Sequence, residues 1–140
     1  MSAQEHHSRL VWRERMTFDA TTTTGHSLVL DTSKEQDGDE RGPRPVELVL
    51  TGLAGCTAMD VVSILKKKRE PLEGLEVEVR GSRREEHPRI YTHIEVIYRV
   101  RGPVKRESAE RAIELSEERY CSVSAMLRES AEITWRLEMI

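Results

Sequence analysis

The segment VELVLTGLAGCTAMDVVSIL, residues 46–65, constrains the fold more than any other part of the chain. It is twenty residues long and mostly apolar, close to the length at which a helix spans a membrane. Glu47 and Asp60 lie inside it, and each carboxylate would be costly in a bilayer. The 140-residue chain offers no second segment of this kind. The sequence therefore predicts a buried central helix and no membrane span.

The flanks of this segment set the bounds of the helix. Pro45 suits a first helical position, and the helix is predicted to run to about Lys68, before Pro71 and Gly74. The run KKKRE at 66–70 falls in its last turn, where cations suit the helix dipole. We interpret this run as a solvated helix end, because no aromatic residues interleave with it. With a net charge of −3, no nucleic-acid partner is expected.

Alternating apolar and polar residues predict strands on both sides of the helix. Before it, LVWRERMTFDA predicts one half-buried strand, and a turn at Gly25 leads to a second strand at about 26–31. After it, LEVEVRG and IYTHIEVIYRVRG predict a hairpin with a charged connection. SAERAIELSEERY predicts a helix, CSVSAMLRES a short helix beginning near Cys121, and EITWRLEMI a last strand.

The predicted order is β-β-α-β-β-α-α-β, an α+β fold with an antiparallel sheet packed on a long central helix. At this length we expect a single domain over residues 1–140. The central helix is apolar around most of its circumference, which is more than one small sheet would cover. We therefore expect a second subunit to cover the remainder.

Composition limits the chemistry that the chain can carry. Two cysteines are too few for a disulfide framework, and no ligand pair such as CxxC predicts a metal site. The five histidines do not form a site, and no phosphate loop points to a cofactor. The stretch MSAQEHHSRL lacks the apolar region of a signal peptide, so we expect a cytoplasmic protein with reduced thiols.

Cys56 and Cys121 are the candidate nucleophiles, and a cysteine reacts as its thiolate. Cys121 lies at a predicted helix start, where free N–H groups and the dipole favour the thiolate. Cys56 is mid-helix with Asp60 one turn on, and an ionised carboxylate there disfavours the Cys56 thiolate unless a cation neutralises it. These grounds alone favour a core residue at Cys56 and leave both interpretations open for Cys121.

Small residues surround Cys56, and glycine costs about 1 kcal/mol in a helix interior. Gly52 and Gly55 therefore indicate either the close approach of another backbone or a ligand, or tight helix–helix packing. Both interpretations put Cys56 at a contact surface, with candidate binding residues at Gly52, Met59 and Asp60.

The segment PVELVLTGLAGCTAMDVVSILKK resembles the OsmC/Ohr family, in which a Pro and an acidic residue precede an apolar helix with a central cysteine. EERYCSV carries a second cysteine where that family has its own, and the strand order fits along almost the whole chain. SRREEHPRIYTH together with AGCTAMDVVSILKK is most similar to the YhfA-type subgroup. The resemblance implies an intertwined homodimer with shared sheets and the two central helices back to back.

The resemblance also implies a chemistry, because the better-known family members are thiol peroxidases for organic hydroperoxides. On this basis Cys56 is the peroxidatic residue that becomes a sulfenic acid, and Cys121 is the resolving residue that condenses with it to a disulfide. A dithiol would then reduce the disulfide. The implied setting is oxidative or osmotic stress.

Two positions differ from the peroxidase pattern. Active members pair the thiolate with an Arg that is held by a Glu ten residues before the Cys. Here Val46 stands ten residues before Cys56. Glu47 stands nine residues before Cys56 and lies on the opposite side of the helix, about 180° around its axis. In the family the Arg comes from the early hairpin region, which in this chain reads ATTTTGHS and contains no arginine.

The alternative function is a non-catalytic dimeric protein that binds a small apolar or electrophilic molecule in the same cleft.

Overall fold

The computed structural model describes residues 4–140. A first compact unit ends at Val49, and a second comprises Leu50–Ile140. The strands are β1 (Ser8–Glu14), β2 (Thr17–Thr22), β3 (Ser27–Leu30), β4 (Gly74–Arg83), β5 (Tyr91–Arg101) and β6 (Glu132–Met139). The helices are α1 (Pro45–Lys67), α2 (Arg106–Leu115) and α3 (Ser122–Leu127), with a short 3-10 helix at Lys34–Gln36 and a π-helical segment at Ser116–Tyr120.

The first unit contains an antiparallel sheet of order β1-β2-β3. The prediction of one strand across LVWRERMTFDA is wrong, because the chain reverses between β1 and β2. Arg15 takes a left-handed φ of 51° there, and the Trp12 indole N–H donates to the Arg15 carbonyl at 2.8 Å. This turn carries no Gly, Asn or Pro, so the sequence pattern continues through it unbroken. The turn predicted at Gly25 is confirmed, with a φ of 82°.

Strand β1 is exposed along its whole length, although its alternation predicted one buried face. Leu10 is 50% exposed and Trp12 is 64% exposed. An edge strand that presents apolar side chains and unpaired backbone groups is a surface on which other chains can dock.

The second unit contains the sheet β4-β5-β6. Strands β4 and β5 form the predicted hairpin, from Gly74 opposite Arg101 to Arg83 opposite Tyr91. Strand β6 lies parallel to β5, so this pair departs from the expected antiparallel arrangement. The reason is the connection: α2, the π-helical segment and α3 form a long crossover that returns the chain in the direction of β5.

The core of the second unit packs one face of this sheet against the helices. Along β5, the alternating residues Ile94, Val96, Tyr98 and Val100 are buried, whereas Thr92 is exposed. In the helical segment that follows β5, a stripe of residues at helical spacing is also buried, and it comprises Ala109, Ala112, Ile113 and Ser116.

Helix α1 buries one stripe of side chains spaced four residues apart: Leu53, Thr57, Val61 and Leu65. The rest of its circumference is half-buried or exposed, and Met59 is 74% exposed. By length and composition alone α1 is apolar enough to cross a membrane, but the core helix of a soluble protein passes the same test. The predicted excess of apolar surface is thus confirmed within the described residues.

Candidate functional site

The two cysteines meet in the second unit. Cys56 is half-buried in the middle of α1, and Cys121 is the N-cap of α3 with only 3% of its surface exposed. Both thiols are free, and their Sγ atoms lie within 4.8 Å of each other and of a carboxylate oxygen of Asp60. A single chain therefore brings Cys121 to Cys56 and Asp60, although Cys121 is distant from both in the sequence.

A π-helical segment delivers Cys121 to this position. Helix α2 passes directly into Ser116–Tyr120, and the chain then leaves the helix at Cys121 with φ −77° and ψ 101°. The Cys121 N–H donates to the Ser116 carbonyl at 2.7 Å, which closes the segment. The apolar periodicity predicted an ordinary helix here and missed the π geometry, which recurs at functional sites.

Three buried hydroxyl groups connect Asp60 to Glu117. Ser116 Oγ donates to the Asp60 carboxylate at 2.9 Å, and Tyr98 Oη donates to the Glu117 carboxylate at 3.0 Å. Thr57 Oγ1 lies between them, 2.8 Å from Ser116 Oγ and 2.7 Å from Tyr98 Oη. Each hydroxyl has one hydrogen to donate, so when Ser116 and Tyr98 donate to the two carboxylates, Thr57 can donate to only one of these two hydroxyl oxygens.

Arg128 provides a positive charge that the sequence interpretation did not find. Glu117 is buried, and its carboxylate lies 3.3 Å from the Arg128 guanidinium and accepts from Ser124 Oγ at 3.0 Å. Arg128 also donates to the Glu117 carbonyl at 2.8 Å and to Ser124 Oγ at 3.0 Å. In the sequence, the one signal for this group is the spacing of Ser124 and Arg128, which stand one helical turn apart and can therefore contact each other.

The predicted helix start at Cys121 is confirmed, but the expected consequence for its thiol is wrong. The Ser124 N–H donates to Cys121 Sγ at 3.4 Å, which favours the thiolate. Burial raises the pKa of Cys121 by more than this hydrogen bond lowers it, and the neighbouring Cys56 and Glu117 also raise it. Cys121 is therefore protonated at neutral pH.

We expect iodoacetamide to alkylate Cys121 far more slowly in the folded protein than in urea, with a rate that is still rising at about pH 10. The folded state holds the Cys121 proton more tightly than the unfolded chain. The contribution of Cys121 to the free energy of unfolding is therefore fully present below the ordinary thiol pKa of about 8.5, and it is lost as pH rises above that value. Peptide mass spectrometry of timed samples gives both rates, and equal rates with and without urea would contradict the prediction.

Two cavities adjoin α1. One, of about 440 Å³, is lined by Asp60, Ser63, Ile64, Lys67, Lys68, Leu115 and Tyr120. The other, of about 510 Å³, is lined by Ala58, Met59, Val62, Ser63, Lys66 and Leu75. Asp60 thus faces both the sulfur pair and a cavity, and Met59 borders the second cavity.

Gly52 and Gly55 have open space beside them. A Cβ atom built at either position would meet no other atom of the described residues within 4 Å. The close approach that these glycines indicate is therefore not made by the described part of the chain, and a contact with a second chain or a ligand stays a prediction.

Known proteins share both the sequence and the fold of this chain. A family model described as OsmC-like protein matches residues 37–136. Protein YhfA of Escherichia coli (strain K12) is 40% identical over 134 residues, which are 95% of this chain and 97% of that protein. The crystal structure of a hypothetical protein from Aquifex aeolicus VF5 is 34% identical, with a TM-score of 0.84 over 99% of both chains. An organic hydroperoxide resistance protein OsmC from Legionella pneumophila has a TM-score of 0.75 over 99% of both chains, and its 15% identity limits the likeness to the fold.

Proposed function

Because the chain belongs to the OsmC-like protein family, we propose that it is a cysteine-based thiol peroxidase that reduces organic hydroperoxides. The observation that carries the proposal is the contact distance within the site, where two free thiols and the Asp60 carboxylate lie within 4.8 Å of one another. The name of the Legionella pneumophila protein of the same fold agrees with this chemistry.

In the first step the Cys56 thiolate attacks the outer oxygen of the hydroperoxide. An S–O bond forms and the O–O bond breaks, so the departing alkoxide takes a proton and leaves as the alcohol. Cys56 is oxidised to a sulfenic acid. Burial supports this assignment, since Cys56 is half-buried and open to a substrate, whereas Cys121 is almost fully enclosed and protonated.

In the second step the Cys121 sulfur attacks the Cys56 sulfenic sulfur. The S–S bond forms, the S–O bond breaks, and the departing hydroxide receives the Cys121 proton and leaves as water. The Asp60 carboxylate is near both sulfurs and is suited to carry that proton. A dithiol reduces the disulfide, so one hydroperoxide and one dithiol give one alcohol, one water and one oxidised dithiol.

The charges around the pair differ from the family's usual Arg and Glu pattern. The Glu117 carboxylate disfavours a Cys121 thiolate, and Arg128 offsets that charge through a direct ion pair. The 510 Å³ cavity has a mostly apolar lining, which suits a hydroperoxide with a hydrocarbon tail.

We further propose that two copies form a homodimer in the cytoplasm. Each unit exposes apolar residues that a monomer would leave in water, including Trp12 in the first and Met59 in the second. The open space beside Gly52 and Gly55 favours a second chain against α1. Light scattering of the purified protein measures its oligomeric state.

The test is stoichiometric oxidation of the reduced wild-type protein by one equivalent of cumene hydroperoxide. We expect one cumyl alcohol per chain, a mass lower by two hydrogens, and a disulfide that links the Cys56 and Cys121 peptides within one subunit. Both thiols remaining open to alkylation after unfolding would reject the peroxidase.

The second candidate function is non-catalytic binding of a small apolar or electrophilic molecule. The observation that favours it is the 510 Å³ cavity beside Met59, whose lining has a single charged residue, Lys66. Native mass spectrometry of the freshly purified protein would then show a retained ligand, and the hydroperoxide would leave both thiols unchanged.

A further inference from the structure

We propose that the reduced protein binds a thiophilic divalent metal ion, with Zn²⁺ as the best match, through Cys56 Sγ, Cys121 Sγ and a carboxylate oxygen of Asp60. The sequence contains no short metal-binding motif, because two of the ligands come from α1 and the third comes from the end of the π-helical segment. Metal binding does not depend on the peroxidase proposal, since it needs the reduced cluster and no turnover.

The spacing of the ligand atoms suits a tetrahedral ion. Zn–S bonds of about 2.3 Å and Zn–O bonds of about 2.0–2.2 Å put ligand atoms roughly 3.5–3.8 Å apart. The three atoms lie within 4.8 Å of one another, so a contraction of at most about 1.3 Å per pair completes the site. Three protein ligands leave one position for water, as in zinc sites that keep an open coordination position. Two thiolates select Zn²⁺ over Mg²⁺ and Ca²⁺.

Neighbouring groups hold the three ligands in position. Ser116 Oγ donates to Asp60 Oδ2 at 2.9 Å, and Ser116 Oγ in turn lies 2.8 Å from Thr57 Oγ1. The Ser124 N–H donates to Cys121 Sγ at 3.4 Å. Hydrogen bonds of this type orient metal ligands, and their loss weakens metal affinity by about 10- to 100-fold.

An ion can reach the cluster through the 440 Å³ cavity, because Asp60 lines both. Bound Zn²⁺ with two thiolates and one carboxylate has a net charge of −1, which Lys67 and Lys68 of the same cavity favour. Burial of Cys121 is no obstacle, since a coordinating thiol is deprotonated by the ion itself. Two thiol protons leave as the two Zn–S bonds form.

The experiment titrates reduced, metal-free protein with Co²⁺ and then displaces it with Zn²⁺. We expect one Co²⁺ per chain, with thiolate-to-cobalt charge-transfer absorption and the visible bands of tetrahedral cobalt. Competition with a chromophoric chelator gives the Zn²⁺ affinity. We expect that affinity to fall at least about 100-fold in Cys56→Ser and Cys121→Ser and about 10- to 100-fold in Asp60→Asn.

Two controls separate this site from other metal-binding groups. Asp37→Asn removes an exposed carboxylate of the first unit, and a variant with His6→Gln and His7→Gln removes an adjacent histidine pair; both are expected to retain full affinity. Wild-type protein oxidised to the Cys56–Cys121 disulfide by diamide is expected to lose the site, which avoids any folding defect of a variant. Unchanged Zn²⁺ affinity in both cysteine variants, or its loss with the histidines, would overturn the proposal. Peroxidase turnover is measured separately, so either proposal can fail alone.

Discussion

Replacing Cys56 by serine is expected to lower hydroperoxide consumption at least about a thousand-fold, to the background rate of the dithiol alone. The serine hydroxyl has no readily formed anion to attack the O–O bond. Cys121 cannot replace the missing nucleophile, because it is 3% exposed and burial raises its pKa. In a buffer that contains no thiol, Cys121→Ser is expected to consume one hydroperoxide per chain and then stop. Its Cys56 sulfenic acid then has no sulfur partner.

The two cysteine variants are assayed together with cumene hydroperoxide, first with a dithiol and then in a single turnover without reductant. Dimedone followed by mass spectrometry detects the sulfenic acid at Cys56 in Cys121→Ser. Ser122→Ala is the matched control, because Ser122 is exposed and adjacent to Cys121. The control is expected to retain wild-type turnover, and wild-type turnover in Cys56→Ser would refute the assigned nucleophile.

Tyr98→Ala is expected to lower the free energy of unfolding by about 3–5 kcal/mol, as is typical when a large aromatic side chain is removed from a core. The Tyr98 side chain is fully buried, and its ring meets Trp135 edge-on with centroids 6.2 Å apart. Burial raises the pKa of Tyr98, so its hydroxyl stays protonated and donates to Glu117.

Tyr98→Phe keeps the ring and removes only the hydroxyl, so it isolates the hydrogen-bond network. We expect a loss of about 1–3 kcal/mol, because Thr57 and Glu117 each lose a buried partner. Urea unfolding followed by circular dichroism measures both variants. Tyr120→Phe is the control, since Tyr120 is 51% exposed, and its effect is expected to stay within about 0.5 kcal/mol. Equal stability of Tyr98→Phe and wild type would mean that the network contributes no net stabilisation.

Local patterns predicted the elements whose signals lie within a few residues. The long helix from Pro45, the β4–β5 hairpin and the helix start at Cys121 are all confirmed. The reversal at Arg15 was missed because a two-residue turn without Gly leaves the alternation intact. The parallel direction of β6 was missed because period-two alternation carries no information about strand direction.

The candidate site was predictable only in part. The pairing of Cys56 with Cys121 was expected from the family resemblance alone, since no local pattern relates the two positions. Glu117 and Arg128 lie in charged stretches that are typical of a solvated helix face. The burial of Glu117 and its pairing with the exposed Arg128 accompany the π-helical segment, which turns Glu117 inward toward Tyr98 and Ser124.

The sequence by itself determined the long apolar helix, the alternation of most strands and the two residues capable of sulfur chemistry. These features depend on side-chain type and on periodicity, which are read along the chain. The tertiary structure alone decided the approach of the two sulfurs to Asp60, the protonated state of Cys121 and the pairing of Arg128 with Glu117. Each of these depends on burial and on distances between distant segments, because the electrostatic energy of a thiol or carboxylate is set by its three-dimensional surroundings.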